Sequence, residues 1–343
     1  MKALVLEEYN KLVYKDVPDP EPGPEDVLIR VKACGICGSD VHGLDGSTGR
    51  RVPPLIMGHE ASGVIEKTGS SVIKWKPGDR VTFDSTIYPL DDWYTLEGRY
   101  NLSDNRRVLG VSPGDYRQHG AFAEYVVVPQ HILYKIPDNV SYEHAAMVEA
   151  AAVALHAINI SGIKTGSSCA VTGAGMIGNF IIKLLAVSGA GKIIAIDNDK
   201  EKLDGARISG AVFLFDPTEG GIESKIKEVT SNRGADVSFE VVGKSESLNT
   251  AIDAVRKGGT VVLVGNTSKT ASIPLQKIVT QELTLRGSCA IRGEYEAILG
   301  LLECGKLRVD DRISAVVPLS EGAEWFGKLY RKEGSLKKVI LVP

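Results

Sequence analysis

The residues best equipped for chemistry lie in two short segments, Cys34-Gly-Ile-Cys37-Gly-Ser39-Asp40-Val-His42 and Gly58-His59-Glu60. Together they hold cysteine sulfur, two imidazoles, a hydroxyl and two carboxylates. Zinc accepts cysteine sulfur, histidine nitrogen and carboxylate oxygen, and a catalytic zinc keeps three protein ligands and one open position. The segments therefore carry the inventory of a catalytic metal site with a proton path beside it. Cys34 and Cys37 also form a C-x-x-C pair. The sequence has no second such pair, so a zinc ribbon is excluded, and this pair does not open a thioredoxin-type helix. Cys34 reads as a small buried residue at a strand end.

A second chemical signal is Val171-Thr-Gly173-Ala-Gly175-Met176-Ile177-Gly178, a G-x-G-x-x-G run between a strand-like and a helix-like stretch. Gly173 permits the tight turn, Gly175 lets the backbone approach a pyrophosphate at the helix N-terminus, and Gly178 lets helix and strand pack closely. Asp197 follows nineteen residues after Gly178, where a carboxylate accepts from ribose hydroxyls and repels a 2′-phosphate. That pattern favours NAD. Lys202 falls near the adenosine ribose or is a solvated surface lysine. Val264, Gly265 and Asn266 close a later strand, at the sheet edge where the nicotinamide would lie.

The elements that must position these residues change character along the chain. The first ~150 residues read as β-rich and irregular, with strands over 27–33, 63–69 and 123–129. Pro18, Pro20, Pro22 and Pro24 mark an extended connector. Further on, strand patterns at 168–172, 192–196, 211–215, 236–241, 260–264 and 283–288 alternate with helix patterns at 176–188, 199–209, 222–232 and 245–255. Such alternation predicts a doubly wound parallel sheet of the Rossmann type. The tail reads as a helix over 294–302 and a strand over 338–342.

Bulk properties narrow the setting. The apolar and charged fractions, 43% and 24%, are those of an ordinary globular protein. A formal net charge of −3 gives no basic footprint for nucleic acid. No apolar run approaches the ~18 residues of a membrane span. The N-terminus turns polar too early for a signal peptide. Five cysteines do not suggest a disulfide framework, so a cytoplasmic setting is expected.

With these motifs in view, the chain resembles the zinc-dependent medium-chain alcohol dehydrogenases over essentially its whole length. The likeness rests on Cys37-Gly-Ser-Asp-Val-His42, Gly58-His-Glu-Ala-Ser-Gly63, Pro77-Gly-Asp-Arg-Val81, Gly120-Ala-Phe-Ala-Glu-Tyr125, Val148-Glu149 and the nucleotide fingerprint. Glu149-Ala-Ala-Ala-Val-Ala-Leu-His156 is similar to a segment of the polyol, sorbitol and threonine dehydrogenase branch, with Ala150 where that branch has proline. The resemblance implies a β-rich GroES-like catalytic domain of residues 1–150 with 290–343, and an NAD-binding Rossmann domain of 151–289. It implies one catalytic Zn²⁺ on Cys37, His59 and Glu149, with Glu60 beside the ligands or exchanging with them. It implies Ser39 as acceptor of the substrate proton and His42 as its relay to solvent. The implied reaction moves a hydride from a secondary alcohol of a polyol or sugar alcohol to NAD. L-threonine or a sugar-alcohol phosphate is the nearest alternative. A zinc-free quinone or enoyl reductase and a non-catalytic NAD-binding protein are more distant ones. The resemblance also implies a homo-oligomer, a tetramer ahead of a dimer, with no nucleic-acid or membrane partner.

Two departures from the family qualify these expectations. Many relatives bind a structural zinc through four cysteines; the matching positions here are Pro89, Asp92, Thr95 and Ser103. The lobe around 88–105 is therefore expected to lack metal and to be held by Trp93, Tyr94, Tyr100 and local turns. Some sorbitol-oxidising relatives carry an Arg-Tyr pair where Ala290 and Ile291 stand here, so sorbitol itself is not implied. Arg50 and Arg51 read either as a solvated loop pair or as a grip for a substrate phosphate or carboxylate.

Overall fold

The computed structural model describes residues 1–343 and divides into two compact units, Met1–Glu149 with Ile291–Pro343, and Ala150–Ala290. The chain passes from one to the other inside the Val148–Ser161 helix.

The first unit is built on a seven-stranded sheet. Its path runs Leu133–Lys135, Arg80–Phe83, Glu60–Thr68, Asp26–Gly35, Lys338–Val342, Ile313–Pro318. Asp26–Gly35 is the central strand. Val27, Ile29 and Val31 alternate into the core while Arg30 faces solvent, as a half-buried strand requires. Its first half pairs antiparallel with Tyr125–Pro129, and its end, Cys34 and Gly35, with Leu341 and Ile340. On the other side it pairs with Glu60–Thr68, Gly35 lying opposite Glu60. The C-terminal strand thus meets the central strand where the first chemical segment begins. The short Ile313–Pro318 strand and the Gly322–Tyr330 helix carry no sequence expectation, because their apolar runs are brief and flanked by polar residues.

In the second unit six strands are all parallel, in the order Phe213–Phe215, Lys192–Ile196, Ser168–Thr172, Ala235–Glu240, Val255–Leu263, Thr284–Gly287. Numbered within the unit, that order is 3-2-1-4-5-6, the doubly wound arrangement that binds dinucleotides at the carboxyl ends of its strands. Cys169–Val171 and Ile193–Ile196 are buried at consecutive positions, because both faces of such a sheet are covered. Two strand starts differ from the sequence reading by more than one residue, and the helix expected over 222–232 ends at Val229. The fifth strand begins at Val255, since the chain leaves the Ser245–Ala254 helix directly in extended conformation. The third begins at Phe213, two residues late.

The lobe near residues 84–105 is held differently from expectation. Trp93 is 63% exposed and meets Tyr94 only edge-on, so it anchors nothing. Tyr100 does the anchoring. Its ring stacks on Tyr88 at 4.1 Å, its hydroxyl donates to Asp84 Oδ2 at 2.7 Å, and it accepts from the Gly293 N–H at 2.7 Å. Asp92 accepts from the Thr95 N–H at 2.8 Å and from the Ser103 hydroxyl. Three of the four positions aligned with cysteines are therefore tied to each other by hydrogen bonds.

Burial raises the Asp84 carboxyl to about 6, against partial compensation from the Thr86 N–H and the Tyr100 hydroxyl. The folded state then binds more protons than the unfolded one between roughly pH 4 and pH 6, so stability falls as pH rises through that window. Relative to Asp84→Asn, the wild-type unfolding free energy should drop by about 2 kcal/mol from pH 4 to pH 7. Denaturant titrations of both proteins across that range measure it; parallel pH profiles would refute it.

Candidate metal centre and cofactor site

Cys37 follows the central strand and stands just ahead of the Gly38–Gly43 helix in extended conformation, φ −81° and ψ 147°. His59 precedes the neighbouring strand and Glu60 opens it. The Gly35–Glu60 pairing brings the two ends together. Gly58 is required at this corner: its φ is +94°, and a Cβ would lie 2.8 Å from the Phe122 ring. As a result, ligand atoms of Cys37, His59 and Glu60 all lie within 4.8 Å of one another. Glu149, in the first turn of the Val148–Ser161 helix, stands just outside this trio and accepts from the Ser85 hydroxyl at 3.3 Å.

Electrostatics show what the cluster lacks. Enclosure pushes the Cys37 thiol up to about 12, with the Glu60 charge adding to the effect and Lys338 opposing it. Enclosure likewise raises the Glu149 carboxyl, and Glu60 and Cys37 add to that. A thiol and two carboxyls thus crowd a low-dielectric volume where their anionic forms repel. A divalent cation removes that repulsion, and metal binding deprotonates such ligands. His59 Nδ1 lies 3.5 Å from Asp40 Oδ2, which leaves Nε2 for a metal; neither of these two atoms has a hydrogen-bond partner. The donor set fits zinc.

Lys338, in the last strand, escaped the sequence reading. It is buried, forms an ion pair with Glu60 Oε2 and donates to the Ile36 carbonyl at 3.1 Å. Burial works against its charge, yet Glu60, Cys37 and Glu149 together outweigh it and hold the ammonium above its usual range. Ser39 and His42 lie one helical turn apart and are both exposed. The Ser39 hydroxyl donates to Cys37 Sγ at 3.3 Å. Arg51 is 3% exposed and bonded to Asp40, so the solvated-pair and substrate-grip readings both fail for it.

In the second unit Gly173 has φ +100°, and a Cβ there would meet Val242 at 2.7 Å. Gly175 caps the Met176–Val187 helix with open space where a Cβ would project, leaving backbone that a ligand can approach. Gly178 must be glycine, because a Cβ would sit 1.9 Å from the Gly173 carbonyl oxygen. Met176 and Ile177 are half-buried at the helix start. Asp197 accepts from the Ala174 N–H at 2.8 Å and the Asp199 N–H at 3.0 Å, which aims it along the glycine turn. Lys202 Nζ lies 3.9 Å from Asp197 and 3.7 Å from Asp199. Val264 and Gly265 donate backbone bonds to the Glu240 carbonyl, and Asn266 is exposed beyond them. The buried Glu240 carboxylate accepts from the Val242 and Gly243 N–H groups. It ties the strand end beside the glycine turn, and no local motif announced it.

Comparison with known proteins agrees with this architecture. Residues 23–138 match the alcohol dehydrogenase GroES-like domain, and residues 177–303 match the zinc-binding dehydrogenase domain. The chain is 35% identical over 341 residues to a probable D-xylulose reductase A of Neosartorya fischeri, covering 97% of this chain and 94% of the relative. It is 33% identical to (R,R)-butanediol dehydrogenase of Bacillus subtilis, covering 99% of each. A zinc-binding dehydrogenase from Sinorhizobium meliloti 1021, solved with NADP, superimposes with a TM-score of 0.90 at 32% identity, over 100% of this chain and 99% of that one. The chain belongs to the zinc-dependent medium-chain alcohol dehydrogenase family. It is an oxidoreductase of that family's polyol-like branch, using zinc and a nicotinamide cofactor. No helix is long and apolar enough to cross a membrane.

Lys338→Met should leave Glu60 buried without its cation. The metal-free variant should then lose about 3–5 kcal/mol of stability. Zinc should restore more stability to the variant than it adds to the wild type, because Glu60 then turns to the metal. Unfolding with and without zinc tests this; equal zinc-induced shifts in both proteins would rule it out.

Proposed function

We propose that the protein oxidises a secondary alcohol of a polyol or sugar alcohol and passes the hydride to NAD. The observation that carries this reading is the convergence of Cys37, His59 and Glu60, with Glu149 adjacent, in a chain that also carries the glycine turn and Asp197. Cys37, His59 and Glu149 would hold the metal, and the Lys338 ion pair retains Glu60. One thiolate and one carboxylate then cancel Zn²⁺, whereas a further anionic ligand would weaken its Lewis acidity. When bound, zinc supplies polarisation of the substrate hydroxyl and the nicotinamide supplies a hydride acceptor.

The chain's own residues do the rest. Ser39 takes the hydroxyl proton and His42 passes it to solvent, a role its exposure suits. Gly175 and the following helix N-terminus receive the pyrophosphate. Asp197 accepts from the ribose hydroxyls, and its charge disfavours a 2′-phosphate, which supports NAD even though the Sinorhizobium relative was solved with NADP. The names of the reductase and butanediol dehydrogenase relatives support a vicinal polyol-like substrate. With Arg51 committed to Asp40, a sugar-alcohol phosphate loses one of its two candidate contacts. The hydrogen-bonded lobe supports one zinc per chain, and family precedent supports a tetramer.

Steady-state assays of NAD⁺ reduction across polyols, inositols, threonine and sugar-alcohol phosphates test the reading, with metal analysis alongside. Cys37→Ala should lose zinc and at least ~1,000-fold in kcat/KM. Activity that survives that change, or withstands exhaustive chelation, would defeat the zinc mechanism. Asp197→Ala should move the NAD⁺/NADP⁺ preference toward NADP⁺ by at least ~10-fold. Two zinc ions per chain in the purified wild type would overturn the single-site count.

A further inference from the structure

Arg51 makes an unusual set of contacts for a loop arginine. Its stem crosses Gly43, where a Cβ would lie 2.4 Å from Arg51 Cγ, so only glycine leaves room for it. Its Nη2 donates to Asp40 Oδ1 at 2.9 Å and to Ser39 Oγ at 3.2 Å; Nε donates to the same Asp40 oxygen at 3.2 Å. Nη1 reaches the Arg50 carbonyl at 3.4 Å. Asp40 is fully buried, and its other oxygen faces His59 Nδ1 at 3.5 Å. Ser39 in turn donates to Cys37 Sγ at 3.3 Å. One guanidinium therefore touches both the carboxylate behind a proposed ligand and the hydroxyl proposed to take the substrate proton.

We propose that Arg51 is a positioning residue for proton transfer: by donating to Asp40 and Ser39 together, it fixes the His59 ring and the orientation of the Ser39 hydroxyl. The inference rests on the function proposed above. A guanidinium only donates, so Ser39 must accept from it with one of its two lone pairs. The remaining lone pair is then held in one direction, on a hydroxyl that is open to solvent. As the substrate O–H bond breaks, a new O–H bond forms on that lone pair, and the proton that Ser39 had donated to Cys37 Sγ leaves that contact for His42 and solvent. The proton count is conserved, and the guanidinium keeps all of its protons. A lysine supplies the charge but not the planar fork that spans both partners. Asp40 in turn orients His59, as carboxylates behind metal-bound imidazoles do.

Arg51→Lys, Arg51→Met, Ser39→Ala and Arg51→Lys/Ser39→Ala separate positioning from simple charge balance. Arg51→Lys should keep the fold and the zinc but lower kcat by about 10–100-fold with KM for the nicotinamide cofactor unchanged. In the Ser39→Ala background the same change should cost much less than in the wild type, since only the Asp40 contact remains to be disturbed. Without substrate, a chelating dye should strip zinc from Arg51→Met about 10–100-fold faster than from wild type. Should Arg51→Met not fold, Arg51→Lys carries that measurement with a smaller acceleration. Wild-type kcat in Arg51→Lys, or losses that multiply in the double variant, would overturn the Ser39 part. Zinc release at the wild-type rate would overturn the Asp40–His59 part. A wild-type protein that oxidises no alcohol would defeat the proposed function, while the zinc-release rates would still decide the role of Arg51.

Discussion

Three groups that become anions, the half-buried Cys37 and Glu149 and the buried Glu60, crowd one partly enclosed volume, and Lys338 is the cation beside them. Charges of one sign in a low-dielectric space cannot all ionise without a counter-charge. Without a metal, the thiol and the Glu149 carboxyl are both pushed toward their protonated forms. The surrounding fold reads as the means of enforcing that crowding. Gly35 pairs with Glu60 across antiparallel strands, Gly58 turns the chain with positive φ, and the last strand delivers Lys338 beside Gly35. A site so arranged holds a divalent cation more readily than it tolerates none.

How much of this was legible in the sequence depended on distance along the chain. Cys37, Ser39, His42, His59 and Glu60 sit in two short runs whose spacing itself suggests a metal site with a proton path. The glycine turn was equally plain, because each glycine answers a local steric demand that the structure shows as a positive φ, an open approach or a blocked Cβ position. Glu149 came into view only through family resemblance, since nothing nearby marks a carboxylate in an alanine-rich helix. The trio with the closest ligand atoms contains Glu60 in place of Glu149. Pattern alone cannot rank two carboxylates that approach the same point from different elements.

The buried roles of Lys338, Arg51 and Glu240 were invisible for a common reason. A charged residue in a sequence looks like a surface residue, and only tertiary pairing shows otherwise. Lys338 opens an apolar strand, as many exposed lysines do. Arg51 stands beside Arg50 in a loop, and nothing in that pair shows which one turns inward. The lobe around Tyr100 shows the opposite error. Trp93 and Tyr94 looked like anchors by their size, yet hydrogen bonds accepted by Asp84 and Asp92, and one donated by the Gly293 N–H, do more of the holding. Large aromatic side chains bury area only if the backbone turns them inward, and that short helix leaves Trp93 facing water.

The two buried cations near the metal donors divide their work in a way their chemistry explains. Lys338 meets one carboxylate oxygen and one carbonyl, contacts that a compact ammonium with rotatable donors serves well. Its task is to hold charge near Glu60. Arg51 must reach two partners on one short helix, Asp40 and Ser39, from a fixed direction, and a rigid planar fork spans them without losing orientation. An exchange of the two residue types would preserve net charge and lose geometry at both places. The charge balance around the metal donors and the direction of the Ser39 hydroxyl are thus separate requirements, met by different cations from distant parts of the chain.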